Sequence, residues 1–147
     1  MTNYWIGVAS LAHVKAGIDG GYAQLGFGKR STIAPLKSGD WIAFYSPRTE
    51  IEDGNRVQAF TAIGRISSGD IYQVDLGAGF KPFRLPCKYR KSARDAKVHP
   101  LLARLSVTRD DGDHWGVRFR QSRISITRTD MVRIASAMNF ALPKTRP

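Results

Sequence analysis

The chain has 147 residues, 42% of them hydrophobic and 24% charged, the ordinary composition of a soluble globular protein with one domain and a core of its own. No apolar run approaches the roughly 20 residues that cross a bilayer, and Met1-Thr2-Asn3-Tyr4-Trp5 lacks a basic stretch followed by an apolar one. Neither a membrane span nor a secretory leader is expected, a cytoplasmic location is expected, and the single cysteine, Cys87, excludes an internal disulfide.

The charge is uneven. Of 23 Lys and Arg against 12 Asp and Glu, residues 1–80 carry 7 basic and 7 acidic side chains, and residues 81–147 carry 16 basic and 5 acidic, so the whole net of +11 lies in the second half. Such a field attracts polyanions, nucleic acid first among them.

Tyr4 to Ala9 is rich in β-branched and aromatic residues and predicts the first strand. Ser10 suits an N-cap, Leu11, Val14 and Ile18 recur at helical spacing, and Gly17 stands where a C′ residue is expected, so a short helix follows. Gly20 to Arg30 is too glycine-rich for a helix and too aromatic for a linker; at such places backbone approaches ligands closely. Gly39-Asp40 then turns the chain into Trp41-Ile42-Ala43-Phe44-Tyr45, with Trp41, Ala43 and Tyr45 on one face and Ile42 and Phe44 on the other. Both faces are apolar, which predicts a central strand, ending at the Ser46-Pro47 step because proline has no N–H to give.

Residues 50–55 read as a polar surface loop with no reason for order. Gln58 to Ile66 predicts a strand with Phe60, Ala62, Gly64 and Ile66 on one face, and Ser67 to Asp70 a turn that brings Ile71 to Val74 back as its hairpin partner. From Phe83 to Arg90 the alternation places Phe83, Leu85, Cys87 and Tyr89 inward, while Pro82 and Pro86 place the strand at an edge. After a charged connector at 91–97 and a short apolar segment at 101–105, residues 110–113 form a turn. Trp115, Val117 and Phe119 alternate with Arg118 and Arg120, predicting a strand with a basic outer face. A C-terminal helix is announced by Thr127 and Asp130 in capping-box spacing and by a stripe of Met131, Ala135 and Met138. We expect one domain over residues 1–147 in which residues 143–147 fray. Six or seven short strands with two or three short helices predict an α+β fold on a curled or closed sheet.

Enzymatic signatures are sparse. His13, His99 and His114 have no metal-binding spacing, no cofactor motif is present, and Gly28-Lys29 fails the phosphate-loop pattern because Arg30 stands where Ser or Thr is required. Instead, aromatic residues lie near glycines and beside basic strands. Trp5, Tyr22, Trp41, Tyr45 and Trp115 suit a pocket that holds a flat base, where stacking contributes about 1–3 kcal/mol per base. Asn3, Gln24 and Ser46 lie near these rings in sequence and offer hydrogen bonds to a base edge. Arg84, Lys88, Arg90, Arg118 and Arg120 would hold phosphates.

Asn3-Tyr4-Trp5-Ile6-Gly7-Val8, Gly20-Gly21-Tyr22-Ala23-Gln24-Leu25, Gly39-Asp40-Trp41 with Tyr45-Ser46-Pro47, Gln58 to Gly64, His99-Pro100-Leu101, and Trp115-Gly116 with Phe119-Arg120 together resemble the EVE domain family of the PUA-like superfamily, over nearly the whole chain and in order. The resemblance implies a small, strongly curved β-barrel with short flanking helices, similar to YTH and ASCH domains, and a non-enzymatic reader of DNA or RNA that takes a modified base into an aromatic pocket. Its pocket-facing segments correspond to Asn3, Trp5, Gly21, Tyr22, Gln24, Tyr45, Ser46 and Pro47, with Trp115 as a further wall; apart from the resemblance, Lys29 joins the basic residues expected to hold phosphates. Two alternatives stand beside it. One is a small hydrolase acting on a modified nucleoside, with Lys29 or His13 as base; the other is a small-metabolite sensor.

Overall fold

The structure, a computed structural model, describes residues 1–144. In chain order its elements are β1 (Tyr4–Val8), α1 (Leu11–Gly20), β2 (Tyr22–Ala23), α2 (Arg30–Ile33), β3 (Trp41–Arg48), β4 (Arg56–Ile66), β5 (Tyr72–Gln73), β6 (Phe83–Tyr89), β7 (Ala96–Lys97), α3 (Trp115–Arg118), β8 (Arg123–Ile126) and α4 (Arg128–Ala137). The strands join in the order β2-β6-β4-β3-β1-β8, with β5 beside β6 and β7 beside β4. This mixed sheet curls into a half-barrel with short helices packed on both faces, the PUA-like architecture expected.

β3 is central, as its sequence predicts, lying parallel to β1 and antiparallel to β4. Trp41, Ala43 and Tyr45 point into one apolar cluster, which α4 closes with Met131, Ile134, Ala135 and Met138. Ile42 and Phe44 point into the other, which contains Val14 of α1 and Ile33 of α2. A strand buried on both faces reads as an unbroken apolar run, because neither set of side chains meets water. Cys87 lies in the second cluster, where burial pushes its thiol up to about 12 and keeps it an unreactive core side chain.

Several expectations are corrected. β3 does not stop at Ser46 but runs on through Pro47 to Arg48, because its register with β4 shifts between Ser46 and Arg48 and the ladder no longer needs the missing donor. A second shift, between Phe44 and Tyr45, places Phe60 opposite Tyr45 in the first cluster while Ala62 and Ile66 stay in the second, so the alternation of β4 breaks at Thr61. β5 pairs with β6 and not with β4. β6 is also no edge, since β2 lies on one side and β4 and β5 on the other. Pro86 is tolerated because its carbonyl accepts from Ser67 where β4 has ended, so its absent N–H falls at a break in the ladder.

α1 does not end at Gly17. It continues to Gly20, and Gly21, in the left-handed region at φ 70°, donates its N–H to the Gly17 carbonyl. α4 begins as its sequence predicts: the Thr127 hydroxyl accepts from the Asp130 N–H at 3.1 Å. The Asp130 carboxylate, however, turns to the Ser106 and Val107 N–H groups and the Ser106 hydroxyl, tying down the preceding loop. Residues 115–118 are helical, not a strand, for a reason that belongs with the site.

Candidate functional site

β1 and β3 run parallel and in register from Tyr4 opposite Trp41 to Val8 opposite Tyr45. Their carboxyl ends therefore open on the same side, where ligands collect in sheets with parallel strands. There Ser10 starts α1, its hydroxyl accepting from the His13 N–H at 3.3 Å. Between this turn, the end of β3, the loop after β2 and residues 120–122 lies a cavity of about 420 Å³, within the range of about 300–1,000 Å³ usual for small-molecule sites.

Among the polar side chains that line it are Gln24 and His13. Gln24 is buried, and its Oε1 accepts from Arg84 Nε at 2.8 Å. A guanidinium only donates, so the amide is oriented with its nitrogen away from Arg84. Among the described residues no buried side-chain polar atom lacks a partner, and the Gln24 nitrogen has none among them, so it keeps some exposure, and Gln24 lines the cavity. His13 places Nε2 3.1 Å from the Gln24 carbonyl. That carbonyl only accepts, so Nε2 carries the proton. Burial, with some help from Arg84, holds the His13 pKa below its ordinary value despite that bond, so at neutral pH the ring is uncharged and Nδ1 is an acceptor.

The rim is aromatic and open. Phe27 is 77% exposed, Phe80 43% and Ile51 70%, and all three line this cavity. Phe27 has a left-handed backbone at φ 59° between Gly26 and Gly28. Both neighbours must be glycine: a Cβ on Gly26 would strike the Thr32 methyl and one on Gly28 the ring of Pro82. The second contact presses the Phe27 turn against the segment that carries Phe80. Arg48 and Arg120 supply positive charge, and Glu50 the one acidic group, among the lining residues. The loop at 50–55, expected to lack order, is tied across by Arg48 Nη1 donating to the Gly54 carbonyl and by the Asn55 N–H donating to Thr49 Oγ1.

A second hollow, about 450 Å³, adjoins the first through Pro47 and Arg120, and its other lining residues are Tyr45, Gln58, Asp113, Trp115, Gly116 and Phe119. Its shape depends on residues 115–118 being helical. Trp115 and Phe119 then lie one turn apart on the same side, Phe119 stacked on Tyr45 at 4.3 Å between ring centres, while Val117 faces out. The alternation Trp115, Val117, Phe119 fits a strand equally well on paper; the buried partner Tyr45 selects the four-residue spacing.

The predicted site residues divide. Gln24, Pro47 and Arg120 line the first cavity, and Tyr45, Pro47, Trp115 and Arg120 the second. Trp5 lines neither; its indole N–H donates to Asp40 Oδ2 at 3.0 Å, fastening β1 to the turn before β3. The Asn3 N–H does the same to Oδ1. Tyr22 lies under Arg84, whose guanidinium is 3.7 Å from the ring centre. Ser46 is fully buried against the Thr61 hydroxyl at 2.7 Å, and Gly21 is the cap of α1. Of the expected phosphate contacts, Arg90 lies over Trp41, Arg118 pairs with Asp111 at 3.0 Å, and Lys29 and Lys88 are exposed elsewhere. Of the two residues considered as a hydrolytic base, His13 lines the cavity and Lys29 does not. Sequence reasoning missed Phe27, Phe80 and Arg48; the signal was there in Gly26-Phe27-Gly28 and in Gly77-Ala78-Gly79-Phe80, phenylalanines in turns that leave no core to fill.

The half-barrel, with a cavity at the carboxyl ends of the parallel strands β1 and β3, has a PUA-like fold. The profile of the EVE domain matches residues 3–137, and the chain belongs to that family. It is 39% identical over 137 residues to the UPF0310 protein YdcG of Bacillus subtilis, covering 93% of this chain and 92% of that one. It is 40% identical over 147 residues to the UPF0310 protein msl3206 of Mesorhizobium japonicum, covering 99% and 96%. Among solved structures it resembles the YTH domain of the Zygosaccharomyces rouxii MRB1 protein, determined in complex with N6-methyladenosine RNA, with a TM-score of 0.63 at 16% identity over 96% of this chain and 89% of that one. It also resembles protein Atu2648 of Agrobacterium tumefaciens, with a TM-score of 0.59 at 14% identity over 99% of each.

Proposed function

We propose that this chain is a nucleic-acid-binding module that takes one nucleobase, a modified one, into the cavity at the carboxyl ends of β1 and β3. The observation that carries this reading is the pair of exposed phenylalanines, Phe27 and Phe80, lining one cavity with buried Gln24 and half-buried His13, whose hydrogen-bonding capacity is only half used. Flat aromatic faces bind any base, and the polar groups between them decide which edge is accepted. Gln24 offers an N–H to an acceptor on that edge, and neutral His13 an acceptor to a donor. Arg48 and Arg120 stand where the strand's phosphates would leave. Membership of the EVE family and a fold shared with a YTH domain solved with methylated RNA support the same reading.

The test is titration with paired oligonucleotides that differ by one base methylation, at two salt concentrations. The methylated strand should bind more tightly, and Phe27→Ala and Phe80→Ala should each weaken it by about 1–3 kcal/mol. Affinity should fall with salt in proportion to the phosphates engaged. Equal affinity for the two strands would remove the modified base from the proposal, and absence of binding to both would remove nucleic acid.

A further inference from the structure

The second hollow has no part in holding that base, yet it is built like a base site. Trp115 meets three rings, Tyr45 at 89°, His99 at 81° and Phe119 at 71°, so no ring lies stacked on its indole. Tyr45 is only 2% exposed, and its hydroxyl has no partner among the described residues. Since no buried polar atom there goes unpartnered, the exposed remnant of Tyr45 includes that oxygen, which reaches the hollow it lines. Burial pushes the phenol up to about 12, so it stays a neutral donor and acceptor. Gln58 sits at the β4 bulge in a left-handed conformation, φ 49°, that disfavours any side chain but glycine; the Val98 N–H bonded to its carbonyl helps to hold it there. Asp113 adds an acceptor on the rim, and exposed Arg120 stands on the wall shared with the first cavity.

We propose that this hollow is a subsite for the nucleotide adjoining the captured base, with its base stacked on Trp115, its edge met by the Tyr45 hydroxyl and the Gln58 amide, and the linking phosphate held by Arg120. The proposal rests on the first cavity's being a base site. It makes the ligand a strand of at least two unstacked nucleotides and not a free nucleoside or metabolite. Continuity favours it: two hollows that share Pro47 and a cation match two bases joined by one anion.

Calorimetry of the full chain with a base-methylated nucleoside and with a trinucleotide carrying that base tests it. The trinucleotide should bind at least tenfold more tightly. Trp115→Ala should remove about a tenfold share of trinucleotide affinity and leave the nucleoside unaffected. Gln58→Gly, which suits the backbone there and so keeps the fold, should weaken the trinucleotide about threefold and likewise spare the nucleoside. Equal affinity of the two ligands for the parent protein, or a trinucleotide indifferent to both substitutions, would overturn the subsite and leave the first cavity standing. Failure of both ligands to bind would overturn the base site itself and the subsite with it.

Discussion

The parallel strands β1 and β3 have two ends, and they are finished differently. At the amino end nearly every group is taken. Asp40, fully buried, accepts from the Asn3 N–H at 3.0 Å, the Trp5 indole at 3.0 Å and the Lys37 N–H at 2.9 Å. The guanidiniums of Arg65 and Arg90 lie 5.3 and 5.2 Å from the Trp41 ring centre, and the Tyr4 hydroxyl accepts from Arg128 at 2.8 Å. At the carboxyl end Phe27, Phe80 and Ile51 are uncovered, and Gln24 and His13 have bonding capacity to spare. Yet the larger cavity, about 720 Å³, lies at the amino end, lined by Tyr4, Trp41, Arg65 and Arg128 among others. The proposed site is thus not the more voluminous of the two. What distinguishes the two ends is how much chemistry each leaves unspent.

If the amino end is structural, breaking it should cost stability and spare binding. Asp40→Ala strands three donors at once, and at about 1–3 kcal/mol for each buried group left unsatisfied it should destabilise by at least ~3 kcal/mol. For a domain of this size that lowers Tm by roughly 6–12 °C, read by thermal denaturation. Oligonucleotide affinity measured well below the transition should not change.

The carboxyl end should show the opposite exchange. Phe27 holds a left-handed conformation that costs roughly 1–2 kcal/mol for a residue with a Cβ, against about 0.5–1 kcal/mol by which glycine's freedom penalises folding. Phe27→Gly should then stabilise the protein by about 0.5–1 kcal/mol in chemical denaturation while weakening base binding. A variant that lost both would show that the Phe27 ring packs against the protein and is not open to solvent.

His13 sharpens the contrast through pH. Its folded pKa lies below the ordinary 6.5, so on acidification the unfolded chain takes up the proton first. The stability of the neutral ring is complete above pH 6.5 and is lost as pH falls below that value toward the folded pKa. His13→Gln should flatten that stretch of a stability profile recorded by urea denaturation.

The smallest effect is expected at Arg118, whose solvent-accessible pair with Asp111 lines neither cavity. Arg118→Ala should leave Tm and the salt dependence of binding unchanged, whereas Arg120→Ala should reduce the salt slope by about one.

Much of the fold was legible. β3 announced itself because a strand between two cores has no polar face to confuse it, and Thr127 with the Met131 to Met138 stripe marked α4. What could not be read was decided by partners far along the chain. Trp5 looks the same in the sequence whether its indole meets a base or Asp40, 35 residues away. Pro86 signals an edge unless the neighbouring strand happens to break beside it. Gln24 and Pro47, which line the first cavity, were singled out because a polar or kinked residue beside a glycine-rich turn or at a strand end is itself informative, and Arg120 only as part of a strand face that the fold does not contain. Phe27 and Phe80 were not, because a phenylalanine reads as core until a positive φ or a hairpin tip turns it outward.

The most direct test is a two-dimensional amide NMR titration of the protein with a base-methylated oligonucleotide. The account predicts that the Gln24 side-chain amide and the backbone amides of Phe27 and Phe80 move first and furthest, while those of Thr2, Tyr4, Arg65 and Arg128 hold still. Shifts concentrated on the latter group would place the ligand at the other end of the sheet and contradict it.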